Sequence, residues 1–570
     1  MEPIDNIKFG AVDYIFFVIV FVLSMGIGLY YAIKSKREVS TVDDYLLGGR
    51  NMGILPVCCS LIATVLSGTT MIGIPAEVYA YGTYIYLMIV VGNVGVFVSR
   101  YFLFFEIFHE LNLTSTFKYL ELRFCQNVRL LASGIYLLDG LLVLPLTVYI
   151  PALTFQRVTG VDVYITVVVL SLLCASYTSM GGFKAVVWTD VVQLFLTFAS
   201  GIVILVVGIQ SVGGFGSVYD AADRGGRLYF ANTDTFNSRT SLLPMIISFP
   251  LSLISQFGVN QTFLQRYLSL SSVRKMKITQ WFTIIPYVLV CVFTFLLGLV
   301  IYANYETCDP TGAGLIRKMD QIVPHFIMEK ATLFQGFSGI FIAGIFSVSL
   351  STTSSYLNAM SGILYVDIIS LRYRNLSNKK ANNIMKITVI LLALFQIAFV
   401  FVIEKMGMII QITAQCAALQ GAAMITLFGL GMLVPKANSK GAITGALSAV
   451  SVLLILIIGS LNKKPERPLP LRTDGCEPGL IFSNSSQVLQ IKTDDDDTFW
   501  LFRLNFTYYA FVGTVIGISV GYFTSLATGG NTIRNQKFIA KFLRVTETQE
   551  AEEEMRLQAR IEPETVNTTD

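Results

Sequence analysis

The chain has 570 residues, 54% of them hydrophobic and 14% charged, with a mean hydropathy of +0.65 and a formal net charge of +4. A soluble globular protein carries roughly a quarter charged residues, so a soluble fold of this size cannot be coated by so few charges, and the apolar excess must face lipid. The small net charge, without a long basic block, argues against nucleic acid as a partner.

Apolar runs of helical length fall near 11–33, 54–80, 83–105, 128–156, 161–180, 185–211, 242–266, 279–303, 333–369, 384–404, 407–435, 441–461 and 504–527. One crossing needs about 20 apolar residues, so these runs predict an all-α integral membrane protein of about thirteen transmembrane helices. The first run is too long for a signal-peptide core and is followed by no small-residue cleavage pattern, so it reads as a retained span. Basic loops follow odd-numbered runs: Lys34, Lys36 and Arg37; Arg274, Lys275 and Lys277; Arg372, Arg374, Lys379 and Lys380; Lys436 and Lys440. The positive-inside rule makes that side cytoplasmic, with the N-terminus outside and the C-terminus inside. The opposite loop at 461–503 holds Asn484-Ser485-Ser486, a glycosylation acceptor. Asn112 and Asn375 carry the same tripeptide on the expected inner side, so the motif alone orients nothing.

Two spans carry helix-breaking sequence at mid-membrane depth. The second has Ser60, Thr64, Ser67, Gly68, Thr69 and Thr70 ahead of Pro75; the seventh has Ser255, Gln256, Gly258, Asn260 and Gln261 after Pro250. They lie five spans apart and cross in opposite senses, as two inverted five-helix repeats with broken first helices would. Unwound backbone there frees carbonyls for ions and solute, because every backbone group in hydrocarbon must find a partner within the protein. Close packing of small polar residues is the alternative. The ninth span adds a hydroxyl run from Ser347 to Ser355, costly against lipid, whose oxygens suit a hard cation such as sodium or simply pack against other helices.

Four ionisable residues stand out inside spans: Glu77, Asp139, Asp190 and Arg266. Such charges mark function by default. Asp190 and Arg266 fall near the same membrane face and form a candidate gate pair, a snorkelling Arg266 being the alternative. Asp139 is the deepest, and could pair with a cation, titrate or face a water-filled vestibule. Cys308 and Cys476 fall in loops expected outside, where a disulfide between them can persist; the other six cysteines lie in or beside apolar runs as small buried hydrophobes. With two separated histidines, His109 and His325, and no paired Cys motif, no metal centre is expected.

Gly48-Gly49-Arg50, Ser60-Leu61, the stretch Lys184 to Asp190 with Gln193, Asn260-Gln261 with Gln265-Arg266-Tyr267, Cys308-Asp309-Pro310 with Asp320-Gln321, and Ser349-Leu350-Ser351-Thr352 with Ser354-Ser355 and Asn358-Ala359 resemble the sodium/solute symporter family. The likeness runs from about Tyr45 to Pro435 and looks closest to the branch of sodium-coupled monocarboxylate, multivitamin and iodide transporters. It implies a LeuT-type fold and sodium-coupled uptake by alternating access, with sodium as the coupling ion and no other cofactor. Carried over by position, it implies sodium ligands at Ala63, Leu66, Val348, Ser351 and Thr352. Ser67, Thr70, Asp190, Gln193 and Gln261 match positions linked to a second ion or the substrate. Asp139 lies outside the family pattern.

The implied organisation is an extracellular N-terminus, first helix and inner loop (1–53), a first repeat (54–211), an outer loop (212–241), a second repeat (242–435), two further helices with the outer loop (436–527) and a cytoplasmic tail (528–570). The expected protein is a plasma-membrane symporter importing a small organic anion. A monocarboxylate comes first, then a vitamin carboxylate such as biotin or pantothenate, or an iodide-like inorganic anion. A channel and a non-transporting sensor are the readings from other classes. An enzyme is not expected: no P-loop or HExxH occurs, and the GxSxG at Gly517 to Gly521 lies in an apolar span whose Gly513, Gly517 and Gly521 suit helix packing.

Overall fold

The computed structural model describes residues 9–38, 41–111, 113–229, 241–316, 318–330, 336–373, 375–403, 409–460, 466, 468–476, 499–530 and 536–543. Asn484 and most of the expected tail lie outside the described residues. Among those described there is no β-strand. The principal helices are α1 (Ala11–Glu38), α2 (Ile54–Val65), α3 (Ile74–Tyr81), α4 (Tyr84–Ser99), α5 (Gln126–Thr159), α6 (Val163–Ser211), α7 (Ser248–Leu253), α8 (Gln261–Leu268), α9 (Val273–Asn304), α10 (Phe337–Ile363), α11 (Asn378–Ile403), α12 (Ile409–Leu433), α13 (Ser439–Gly459) and α14 (Tyr509–Ala527).

Ten helices among the described residues are long and apolar enough to cross a membrane, and up to eleven if Val42–Arg50 and Ile54–Val65, bent by 110°, form one span. Hydropathy led instead to about thirteen. The difference arises where the chain breaks. The expected runs at 161–180 and 185–211 are two helical stretches of α6 that meet without a loop at the non-helical residue Gly182 (φ 56°, ψ −149°), and together they count once among the ten. A Cβ at Gly182 would lie 2.8 Å from the Tyr45 carbonyl oxygen, so glycine is required by both conformation and contact. The run at 54–80 is divided between α2, a π-helical turn over Thr69–Gly73, and α3.

Both expected helix breaks are present. Helix α2 stops at Leu66 (ψ 107°), and the π-helical segment Ile254–Val259 that follows α7 stops at Asn260 (ψ 131°), each an extended residue between two helical pieces. Side chains satisfy the backbone set free. Thr70 Oγ1 donates to the Val65 carbonyl (3.1 Å), Ser67 Oγ accepts from the Thr70 amide (3.2 Å), and Asn260 Oδ1 accepts from the Thr262 amide (2.9 Å). This local pairing lets a helix end inside an apolar medium.

The hydroxyl-rich α10 runs through the centre: 94% of the most apolar stretch of its span is buried, against 7% for α1. Serines and threonines are tolerated there because neighbours accept their protons. Ser355 Oγ donates to the Ser351 carbonyl (2.7 Å), and Thr353 Oγ1 meets Thr147 Oγ1 of α5 (2.7 Å). At the far end of the chain α13 and α14 touch backbone to backbone, a Cβ on Gly445 falling 2.5 Å from the Gly517 carbonyl oxygen. Ser519 of the GxSxG lies within continuous α14, without the strand–turn–helix a nucleophile elbow needs.

Candidate functional site

The break after α2 faces α10. Thr352 Oγ1 lies 3.3 Å from the Leu66 carbonyl oxygen and 3.1 Å from that of Val348. Ala63, Leu66 and Val348 are buried in one cluster with Leu194 of α6 and Val290 of α9. Oxygens held about 2.4 Å from a hard cation in an octahedral arrangement stand about 3.4 Å apart, so these neutral oxygens are spaced as adjacent ligands. Ser351 Oγ, on the same helix, donates to Asp190 Oδ1 (2.7 Å). That directs its proton at the carboxylate and leaves its lone pairs available.

Asp190 and Arg266 form an ion pair (3.1 Å) with both side chains buried. Around it, Ser60 Oγ donates to Asp190 Oδ2 (2.5 Å) and accepts from Arg266 Nε (2.7 Å), while Arg266 donates to Ser355 Oγ and to the Thr262 carbonyl (2.6 Å). The pair therefore ties together α2, α6, α8 and α10. A buried ion pair is tolerable only when its remaining donors and acceptors are satisfied in this way.

The two breaks and α10 also wall a cavity of about 190 Å³, into which Ser67, Thr70, Gln256, Asn260, Thr352 and Asp139 open. That is room for several waters or a small solute. Gln261 does not line this cavity; its Oε1 accepts from the Thr116 amide (2.9 Å) and hydroxyl (3.0 Å), tying α8 to the segment before α5. Gln193 is buried on α6, and Glu77 is buried on α3, accepting from Tyr84 Oη.

Three further charged residues belong to this architecture. Arg100 donates through Nε to the Phe257 carbonyl at the second break (2.8 Å) and through Nη1 to Tyr267 Oη (2.9 Å). Asp367 accepts from Ser115 (2.7 Å) and Ser133 (3.0 Å) and pairs with Arg129. Arg100 and Asp367 both lie inside expected apolar runs, so a stricter application of the rule that intramembrane charge marks function would have found them.

On one end of the bundle Cys308 and Cys476 are joined in a disulfide, Cα–Cα 4.9 Å. The Leu469 amide donates to the Ala80 carbonyl (2.8 Å) and the Asp309 amide to that of Arg472 (2.8 Å), holding the 468–476 segment over the end of α3. Asp309 accepts from Tyr79 Oη (2.6 Å) and the Gly312 amide (2.6 Å). Burial pushes its carboxyl above the usual range, against those hydrogen bonds.

Residues 45–448 match the sodium:solute symporter family. The chain belongs to that family. This symporter is 33% identical over 527 residues to sodium-coupled monocarboxylate transporter 2 of Mus musculus, covering 92% of this chain and 84% of that one. It is 32% identical to sodium-coupled monocarboxylate transporter 1 of the same organism (94% and 90% covered) and 30% identical to a putative sodium-dependent multivitamin transporter of Drosophila melanogaster (90% and 86%). A solved Na+-coupled sialic acid symporter aligns with a TM-score of 0.75 at 24% identity, over 92% of this chain and 100% of that one. The fold is the LeuT type that the resemblance implied, and the protein is a transporter, not an enzyme, with sodium as its coupling ion.

Proposed function

We propose that this symporter imports a small organic anion with sodium by alternating access at the plasma membrane, a monocarboxylate first and a vitamin carboxylate second. The observation that carries the reading is the meeting of Thr352 Oγ1 with the Leu66 carbonyl (3.3 Å) at an unwound helix. A hydroxyl on one helix and a carbonyl on another can both ligate a cation only while those helices are together, so ion occupancy and conformation are linked. Sodium is held by Ala63, Leu66, Val348, Ser351 and Thr352. The solute occupies the cavity beside Ser67 and Thr70, and Asp190 with Arg266 closes one side. Asp190, Gln193 and Gln261 contribute to a second ion or to substrate selection, Gln261 through the Thr114–Thr116 segment it holds. The two repeats are 54–211 and 242–435, with the N-terminus outside, the C-terminus inside and Asn484 on the outer face. The names of the mammalian monocarboxylate transporters support a carboxylate solute.

The energetics suffice. One net charge moving inward through 100 mV yields about 2.3 kcal/mol, and tenfold accumulation costs about 1.4 kcal/mol. The test is uptake and current in oocytes expressing the full chain, screened with monocarboxylates, vitamins, halides and sugars with and without sodium. Ser351→Ala and Thr352→Ala should raise the sodium concentration for half-maximal uptake at least tenfold with normal surface delivery. Unchanged sodium dependence in both would overturn the ion site; uptake independent of sodium would overturn the function.

A further inference from the structure

Asp139 of α5 is the one charged side chain among the described residues lining the central cavity, which include no Lys, Arg or His. It is 6% exposed, and its Oδ1 has no hydrogen-bond partner. The titratable groups near enough to feel its charge are Tyr136 on its own helix, Tyr356 on α10 and Cys416 on α12. Tyr287 and Cys291 of α9 face the same cavity. None of these carries positive charge. The nearby guanidiniums are committed elsewhere, Arg266 to Asp190 and Arg100 to the Phe257 carbonyl. Gln420 of α12 lines the same cavity, buried, with its Nε2 also unpartnered. A buried carboxylate oxygen and a buried amide nitrogen that open together on one cavity, neither with a hydrogen-bond partner, call for a ligand that supplies positive charge to the first and accepts a hydrogen bond from the second.

A carboxylate solute provides the acceptor but brings a second negative charge beside Asp139, and like charges removed from water exclude one another unless a cation lies between them. We propose that Asp139 is a cation-coupling site: it takes up one monovalent cation, sodium or a proton, with each carboxylate solute, separately from the sodium held at Leu66, Val348 and Thr352. Gln420 then donates to the solute carboxylate. This inference rests on the carboxylate reading above. Its consequence is a charge count, since removing the Asp139 charge removes one transported positive charge per solute.

The experiment is simultaneous current and radiolabelled propionate uptake under voltage clamp, for wild type, Asp139→Asn and Asp139→Glu, with surface delivery measured by biotinylation. The charge-to-solute ratio of Asp139→Asn should fall by one, and Asp139→Glu should keep the wild-type ratio. If the cation is sodium, the wild-type sodium dependence is steeper and its Hill coefficient drops by about one in Asp139→Asn. If it is a proton, wild-type uptake rises from pH 8.0 to 5.5 and that of Asp139→Asn does not. An unchanged ratio in Asp139→Asn overturns the site. So does a wild type that moves no net charge with propionate, a measurement that stands even if the variant fails to reach the surface. Inhibition of wild-type uptake by ammonium-bearing solutes but not by other carboxylates would assign Asp139 to the solute's own cation and overturn the proposal as well. A wild type that transports no carboxylate at all overturns the proposed function together with this site, and is thereby distinguished from failure of the site alone.

Discussion

Replacing Arg266 by Met tests whether the Asp190–Arg266 pair locks four helices together. In the wild type Asp190 accepts from Arg266, Ser60 and Ser351 with no exposed side-chain surface. Arg266→Met leaves the two hydroxyl donors but removes the counter-ion, stranding a carboxylate in the interior. Breaking a buried pair from one side costs about 3–5 kcal/mol. At about 1.4 kcal/mol per tenfold, that weakens the paired arrangement by a factor of roughly a hundred to a few thousand. Adding Asp190→Asn removes the stranded charge, and most of the loss should return, because a neutral, hydrogen-bonded replacement for a buried pair is often close to neutral in stability. The assay is thermal denaturation of detergent-purified protein for the wild type, both single variants and the double variant, analysed as a double-mutant cycle. The account fails if Arg266→Met is as stable as the wild type, or if the double variant is no more stable than Arg266→Met.

Arg100→Met should leave the Phe257 carbonyl at the second break without its charged donors, costing about 1–3 kcal/mol and lowering transport. Arg100→Lys should not restore it, because a point charge cannot reproduce the fork that reaches both Phe257 and Tyr267; full activity in the Lys variant, measured as uptake per surface molecule, would refute this. Gly445→Ala should separate α13 from α14, since its Cβ would lie 2.5 Å from the Gly517 carbonyl oxygen. A loss of about 1–3 kcal/mol in thermal stability is expected, with sodium affinity unchanged in the fraction delivered to the surface. His325, in the loop-borne helix Ile322–Lys330, is held by burial at about 4, below its ordinary 6.5. It stays neutral in the folded protein while the unfolded chain takes up a proton. The stability it contributes is therefore complete above about pH 6.5 and is lost as pH falls from there toward 4, a total of about 3 kcal/mol. His325→Phe should flatten thermal stability across that window; an identical slope in wild type and variant would refute the assignment.

Composition and hydropathy alone established a polytopic helical membrane protein, because lipid demands long apolar stretches and leaves that demand visible in the chain. The two breaks were readable for the same reason: Ser67-Gly68 and Gly258 with Asn260 put helix-breaking and polar residues where hydrocarbon tolerates neither without a purpose. The runs at 161–180 and 185–211 were separated in the sequence where α6 breaks, but that the two stretches meet without a loop rests on the backbone angles of a single glycine, Gly182, which hydropathy cannot register. What a side chain touches was decided only by packing. Gln261 sits beside Asn260 in sequence, yet reaches Thr116 rather than the cavity. Asp139, without a motif around it, opens onto the same space as Thr352 some 200 residues away in the chain. Local sequence controls where a helix can end, through the pairing of backbone groups within a few residues. The meeting of Leu66 with Thr352, or of Asp190 with Arg266, depends on how whole helices cross, and that is a property of the assembled bundle.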